Sequence, residues 1–150
     1  TPSYDLSKVC TSFVTNMQNY FYMQDFNQDI SSWDTSNVGT MRAMFSYSGF
    51  NQDISYWDTS SVISFEALFE GAAFNQNISS WDVSSALYMG GMFGGASSFN
   101  QDLSSWDVNS VDDGGQVNDW YSCLNFCADT PNWTLPKPNF TNCSADLGCD

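Results

Sequence analysis

Residues 26–34 read FNQDISSWD, and the phrase returns as FNQDISYWD at 50–58, FNQNISSWD at 74–82 and FNQDLSSWD at 99–107. The starts at 26, 50, 74 and 99 set a repeat of 24 or 25 residues, so the chain is an internal-repeat array. A second signal follows each phrase: Val38, Met41, Met44 and Phe45, then Val62, Phe65, Leu68 and Phe69, then Ala86, Met89, Met92 and Phe93. The whole unit therefore repeats, and function has to be sought on the surface that the stacked units build.

The register extends outward from these copies. Asp5, Leu6 and Ser7 stand where Asp29, Ile30 and Ser31 stand one unit later, with Val9 in the tryptophan slot. After a short insertion, Val111, Val117, Trp120 and Tyr121 fill the second signal of a fifth unit, and Phe126, Asp129 and Trp133 keep the spacing of Phe50, Asp53 and Trp57. The expected organisation is repeats near 2–25, 26–49, 50–73, 74–98 and 99–125, a partial unit at 126–133, and a capping tail at 134–150. Pro131 and Pro136 stop the sixth unit, since neither can donate to a ladder.

Counting the phrase's Phe as position 1, apolar residues fall at 1, 5 and 8 in the first half of a unit, the pattern of a short strand with a corner. In the second half they fall at 13, 16, 19 and 20, one helical stripe, preceded by Asp-Thr-Ser or Asp-Val-Ser as N-cap. The expected fold class is α/β: a leucine-rich-repeat-like solenoid of five short strand-plus-helix coils, a broken sixth coil and a disulfide-rich C-terminal cap. Gly90, Gly91, Gly94 and Gly95 weaken the helix expectation in the fourth unit, each costing about 1 kcal/mol against alanine.

FNQDISSWDTSNV followed by MxxMF resembles the repeat of about 25 residues in BspA-like surface proteins, strongly over residues 26–107 and weakly at the flanks. The resemblance implies a secreted or surface-anchored protein with an interaction or structural role and no assigned chemistry.

Charge and cysteines bound the rest. Seventeen acidic residues face three basic ones, Lys8, Arg42 and Lys137, and the net charge of −14 argues against nucleic acid or anionic membrane surfaces as partners. The apolar residues are interrupted too often for a membrane span. Cys123, Cys127, Cys143 and Cys149 crowd the last 28 residues and are expected to form two disulfides, in any of three pairings. A zinc site is the rival, disfavoured by the lack of histidine and of a CxxC pair. Sequons stand at Asn77, Asn132, Asn139 and Asn142, and their coincidence with the cysteines points to a glycosylated extracellular end.

Catalysis is disfavoured, because without histidine no ordinary base serves a serine or cysteine nucleophile. Neither cofactor nor metal is expected. The recurring acidic columns, Asp5, Asp29, Asp53, Asn77, Asp102 and Asp129 in one and Asp34, Asp58, Asp82 and Asp107 in another, read as turn and helix caps rather than as a cation ladder. Trp33, Trp57, Trp81 and Trp106 could present a platform for sugar rings, but four exposed in a row would make an unusually large apolar patch, so a core wall is expected. The Asn27, Asn51, Asn75 and Asn100 column reads as a side-chain ladder.

Two functions follow. The first is a subunit of a head-to-tail extracellular fibre or matrix, its assembly end carrying Val9, Phe13, Val14, Tyr20 and Phe21, with Cys10 bonded to a neighbouring copy or to the chain's own tail. The alternative is a cell-surface adhesin module that binds glycan or protein through one face of the stack.

Overall fold

The computed structural model describes residues 5–113, 122–144 and 146–149, so Val117, Trp120 and Tyr121 lie outside the described residues. Within them the repeats stack, each residue column meeting its counterpart one unit on. The expected α/β solenoid of strand-plus-helix coils is overturned. The described residues hold one three-residue 3-10 helix, Leu6–Lys8, no α-helix and no sheet. Strand-like pairing is confined to the isolated parallel bridges Asn16–Thr40, Thr40–Ser64 and Ser64–Tyr88.

Left-handed backbone is what replaces the helix. Ala43 and Tyr47 have φ of 50° and 54°, and the same two positions one and two units on are Ala67 and Gly71, then Gly91 and Gly95, all at positive φ. Each breaks the helical hydrogen-bond series, leaving turns that span three residues: Met44 N–H to Met41 O, Ser46 N–H to Ala43 O and Ser48 N–H to Phe45 O, at 3.1, 3.3 and 3.1 Å. The intervening N–H groups turn out of the coil. Met41, Ala43, Phe45 and Tyr47 donate to the carbonyls of Ser64, Glu66, Leu68 and Glu70 in the next coil at 2.6–3.1 Å. A helix this short would close only its own bonds and is marginal alone. The turn ribbon gives half its donors to its neighbour, which offsets the roughly 1–2 kcal/mol that left-handed backbone costs a residue other than glycine.

The phrase half of each unit donates the opposite way. Trp57, Trp81 and Trp106 point Nε1 back to the carbonyls of Ile30, Ile54 and Ile78 at 3.3, 3.0 and 3.1 Å. Asn51, Asn75 and Asn100 each donate a backbone N–H to the side-chain oxygen of the preceding asparagine, at 2.8–2.9 Å, which is the expected ladder. Where the two halves join, the directions mix. The Thr35 and Thr59 hydroxyls donate forward to Asp58 and Asp82 O and the Gly39, Ile63 and Leu87 N–H groups donate backward, so the internal boundaries are closed from both sides.

Between the two halves lies an aromatic core. The tryptophans are 4–7% exposed and stack in their column, Trp33 on Trp57 and Trp81 on Trp106 at 6.5 Å, so the column forms a core wall and no sugar platform. Phe45, Phe69 and Phe93 make a second column at 5.7–5.8 Å and Phe50, Phe74 and Phe99 a third at 6.2–6.3 Å. These two columns lie face to face, Phe45 on Phe50 and Phe69 on Phe74 at 4.0 Å. Burying each ring contributes about 1.5–3 kcal/mol. At the far end Trp133 turns edge-on to Phe93 and Phe99, at 5.1 and 4.7 Å, and ends the stack.

Candidate functional site

Three surfaces of the stack stand out: the leading end, the trailing end and a groove along the ribbon side. At the leading end Phe13 is 92% exposed and Met23 66%, with Val9, Tyr20 and Tyr22 also exposed. Val14 and Phe21 are partly buried and pack against the core. Of the expected assembly residues, the fold therefore gathers Val9, Phe13 and Tyr20 on the surface and draws Val14 and Phe21 inward. Cys10 is exposed and carries a free thiol, with no disulfide to the described tail.

The trailing end is closed. Disulfides join Cys123 to Cys143 and Cys127 to Cys149, choosing one of the three pairings left open by sequence. The ladder register explains the choice: Met89 and Phe93 donate to the carbonyls of Ser122 and Phe126, which sets Cys123 and Cys127 in the buried Met89 and Phe93 columns. The tail carbonyls of Asp146 and Leu147 then take the ribbon donors of Asn125 and Cys127 at 2.9 and 3.1 Å. Thr134 and Leu135 donate to Asn100 Oδ1 and complete the asparagine ladder. Asp113 has its carboxylate oxygens and the sulfurs of Cys123 and Cys143 within 4.8 Å of one another. The sulfurs are joined in the disulfide, and Asp113 Oδ2 accepts the Ser144 N–H at 2.6 Å, so the group is built as a tail clasp.

All four sequon asparagines are exposed. Asn132 and Asn142 commit Nδ2 to the carbonyls of Ser97 and Asn109 at 2.7 Å. Asn77 uses only Oδ1, accepting the Ser79 N–H at 2.9 Å, as Asp29, Asp53 and Asp102 do with Ser31, Ser55 and Ser104. Among the described residues, the Asn77 and Asn139 side-chain nitrogens, the atoms a glycan would take, make no hydrogen bond.

The carboxylate columns cap turns, and the helix-cap expectation for the second column falls with the helix. Asp34, Asp58 and Asp82 accept from the N–H and hydroxyl of Ser36, Ser60 and Ser84, at 2.6 Å from each hydroxyl. The serine hydroxyls first, then the backbone N–H groups, hold the Asp34 and Asp82 carboxyls below the ordinary value. In the first column the order is reversed: backbone N–H groups first, then hydroxyls, lower Asp29, Asp53 and Asp102.

The groove lies on the ribbon side and went unread in the sequence. One cavity of about 320 Å³ is lined by Tyr22, Arg42, Ala43, Glu66 and Glu70 among others. A second of about 200 Å³ adjoins it across Glu70, floored by Gly91, Gly94 and Gly95 and walled by Tyr47, Asn125 and Asp129. Glu66 is buried and paired with Arg42 Nε at 3.0 Å. Tyr47 Oη donates to Glu70 Oε1 at 3.1 Å, and the Glu70 charge, then burial, pushes the Tyr47 phenol above its ordinary value. Tyr47 folds over Gly71, where a Cβ would meet its ring at 2.5 Å. The signal that could have found the groove is compositional: Glu66 and Glu70 are the sequence's two glutamates and Arg42 its one arginine, and all three sit on one ribbon face.

The architecture is that of a stacked turn-ribbon repeat protein, closed by a disulfide-bonded tail. The chain belongs to the family described as Mycoplasma protein of unknown function, DUF285, whose model matches twice, over residues 2–73 and 50–145. Membership is consistent with the BspA-like repeat. No curated protein and no solved structure matches the chain.

Proposed function

We propose that this protein is a non-enzymatic, extracellular binding module of the cell-surface adhesin kind, which recognises a protein or glycan through the ribbon-side groove. The observation that carries the reading is the trailing end: two disulfides hold a tail whose carbonyls take the Asn125 and Cys127 donors of the edge, which favours recognition through the lateral faces. Disulfides persist in oxidising compartments, and the exposed Asn77 and Asn139 suit glycosylation there. The groove supplies concavity, aromatic walls from Tyr22 and Tyr47, and acceptors from Glu70 and Asp129. Intact mass of the native protein, before and after reduction and deglycosylation, tests the compartment: two disulfides and added glycan mass are expected, and free thiols with an unmodified mass would reject it. Tyr47→Ala with Glu70→Gln tests the groove. Binding of the labelled protein to intact cells or immobilised glycans should fall, whereas unchanged binding would remove the groove from the account.

A head-to-tail fibre subunit is the second reading, favoured by the 92% exposure of Phe13 at the leading end. Sedimentation at high concentration separates the two, polymers favouring the fibre and monomers the module.

A further inference from the structure

At each internal boundary the ribbon carbonyls of one coil face the coil before it and receive its N–H groups. The receiving carbonyls are those of Thr40, Arg42, Met44 and Ser46 in the second coil and of Ser64, Glu66, Leu68 and Glu70 in the third. In the first coil the same positions are Asn16, Gln18, Tyr20 and Tyr22. None of these carbonyls accepts a backbone N–H among the described residues, and Tyr20 O takes only a side-chain contact from Gln24 at 3.5 Å. The row is rimmed by exposed Tyr20, Tyr22 and Met23, and Phe21 ends its ring column half covered, 5.7 Å from Phe45.

We propose that this leading edge is a docking face for the donor edge of another coil of the same repeat class. The partner is chosen by polarity. An ordinary strand edge presents N–H and C=O in alternation and would match a row of acceptors only in part. The trailing side of a ribbon of this repeat presents N–H groups alone, two residues apart, at the spacing of the acceptor row, and its Phe column continues the one that ends at Phe21. Two of the four N–H groups on the protein's own trailing ribbon, those of Asn125 and Cys127, are covered by Asp146 and Leu147, so in the disulfide-bonded protein that ribbon matches the acceptor row less completely than an uncovered coil does. The occupant is a repeat coil with an uncovered trailing edge. The tryptophan and asparagine columns contribute apolar contact only: Trp33 donates Nε1 back to Leu6 O at 2.9 Å and Asn37 Nδ2 to Ser12 O at 2.9 Å, whereas Val9 and Phe13 hold those positions in the first coil and have no side-chain donor to give.

The test is the full protein with one further copy of residues 26–49 placed ahead of Pro2, in place of Thr1. The added N–H groups equivalent to Met41, Ala43, Phe45 and Tyr47 should exchange at least about tenfold more slowly than in an unstructured chain. Unprotected exchange there, with the rest of the protein native by near-ultraviolet circular dichroism, would overturn the proposal. A second measurement covers misfolding of the extended chain. Native protein labelled at Cys10 is titrated with the Cys143→Ser, Cys149→Ser variant, whose tail no longer secures Asn125 and Cys127. Label anisotropy should rise. No rise while those two amides exchange freely would overturn the proposal, as would an equal rise with an unrelated extended peptide.

Discussion

The two ends of the stack meet water by opposite means. Forward-donating ribbons leave acceptors at the leading end and donors at the trailing end, and backward-donating phrases would leave the reverse. At the leading end the backward side-chain donors are missing, since Val9 stands for tryptophan and Phe13 for asparagine; the Thr15 N–H, in the backward-donating column of Gly39, Ile63 and Leu87, remains beside ribbon carbonyls that water can satisfy. At the trailing end the donors remain, and a disulfide-bonded tail covers the central two, Asn125 and Cys127. The difference shows that a repeat array needs no identical caps. Among the described residues, the first and last coils differ in which hydrogen-bonding groups they leave for water, a tail or another coil to satisfy.

The sharpest way to break this contrast is to reduce the tail. The disulfides bridge 20 and 22 residues, and loops of that size contribute about 3 kcal/mol each on the chain-entropy account. Reduction should lower the unfolding midpoint steeply and release the Asn125 and Cys127 amides to exchange, with Met17 and Phe21 protected until global unfolding. A trailing edge that stays protected after reduction would show the tail to be dispensable. Tryptophan comes next. Trp57→Phe removes the donor to Ile30 O and vacates core volume, an expected cost of about 2–4 kcal/mol in denaturant unfolding. Val9→Trp, at a site 46% exposed, should change stability by less than about 0.5 kcal/mol. Equal effects at the two sites would erase the distinction between an internal coil and an end.

Acid should act weakly and in one direction. Asp29, Asp34, Asp53, Asp82 and Asp102 have folded values below 3.8, so their contribution is present above 3.8 and is lost as pH falls through the lowered values. Asp102→Asn keeps the turn acceptor, as Asn77 does naturally, and should flatten the acid limb of the stability curve slightly without changing the neutral plateau. A lower plateau would mean that the charge itself holds the turn.

The repeat, its register over residues 26–107, the asparagine ladder and the tail cysteines could be read from sequence, because each is a column that recurs or a cluster that stands apart. Beyond 107 the register could not, since Cys123 and Cys127 hold the Met89 and Phe93 columns that the spacing gave to Val117 and Tyr121, and Phe126 belongs to the fifth ribbon instead of starting a sixth unit. The secondary structure could not, for a physical reason. Apolar positions 13, 16, 19 and 20 suit a helix and a turn ribbon equally, since both return a side chain to the same face every three or four residues. The discriminating signal was present in Gly71, Gly91 and Gly95, which occupy the left-handed positions. It was masked by Ala43, Tyr47 and Ala67, which adopt the same backbone without glycine's freedom. The groove was hidden for a related reason, since Glu66 and Glu70 meet Arg42 and Tyr47 across coils and not along the sequence.

Whether turn ribbons with left-handed residues build each coil is decided by the sign of one substitution. Ala67 sits at φ of 53°, where its Cβ costs about 1–2 kcal/mol and glycine costs nothing sterically. After subtracting glycine's greater freedom in the unfolded chain, Ala67→Gly should stabilise the protein by about 0.5 kcal/mol in denaturant unfolding. In a helix the same change would destabilise by about 1 kcal/mol. Stabilisation is the predicted result, and a loss near the helical value would contradict the fold described.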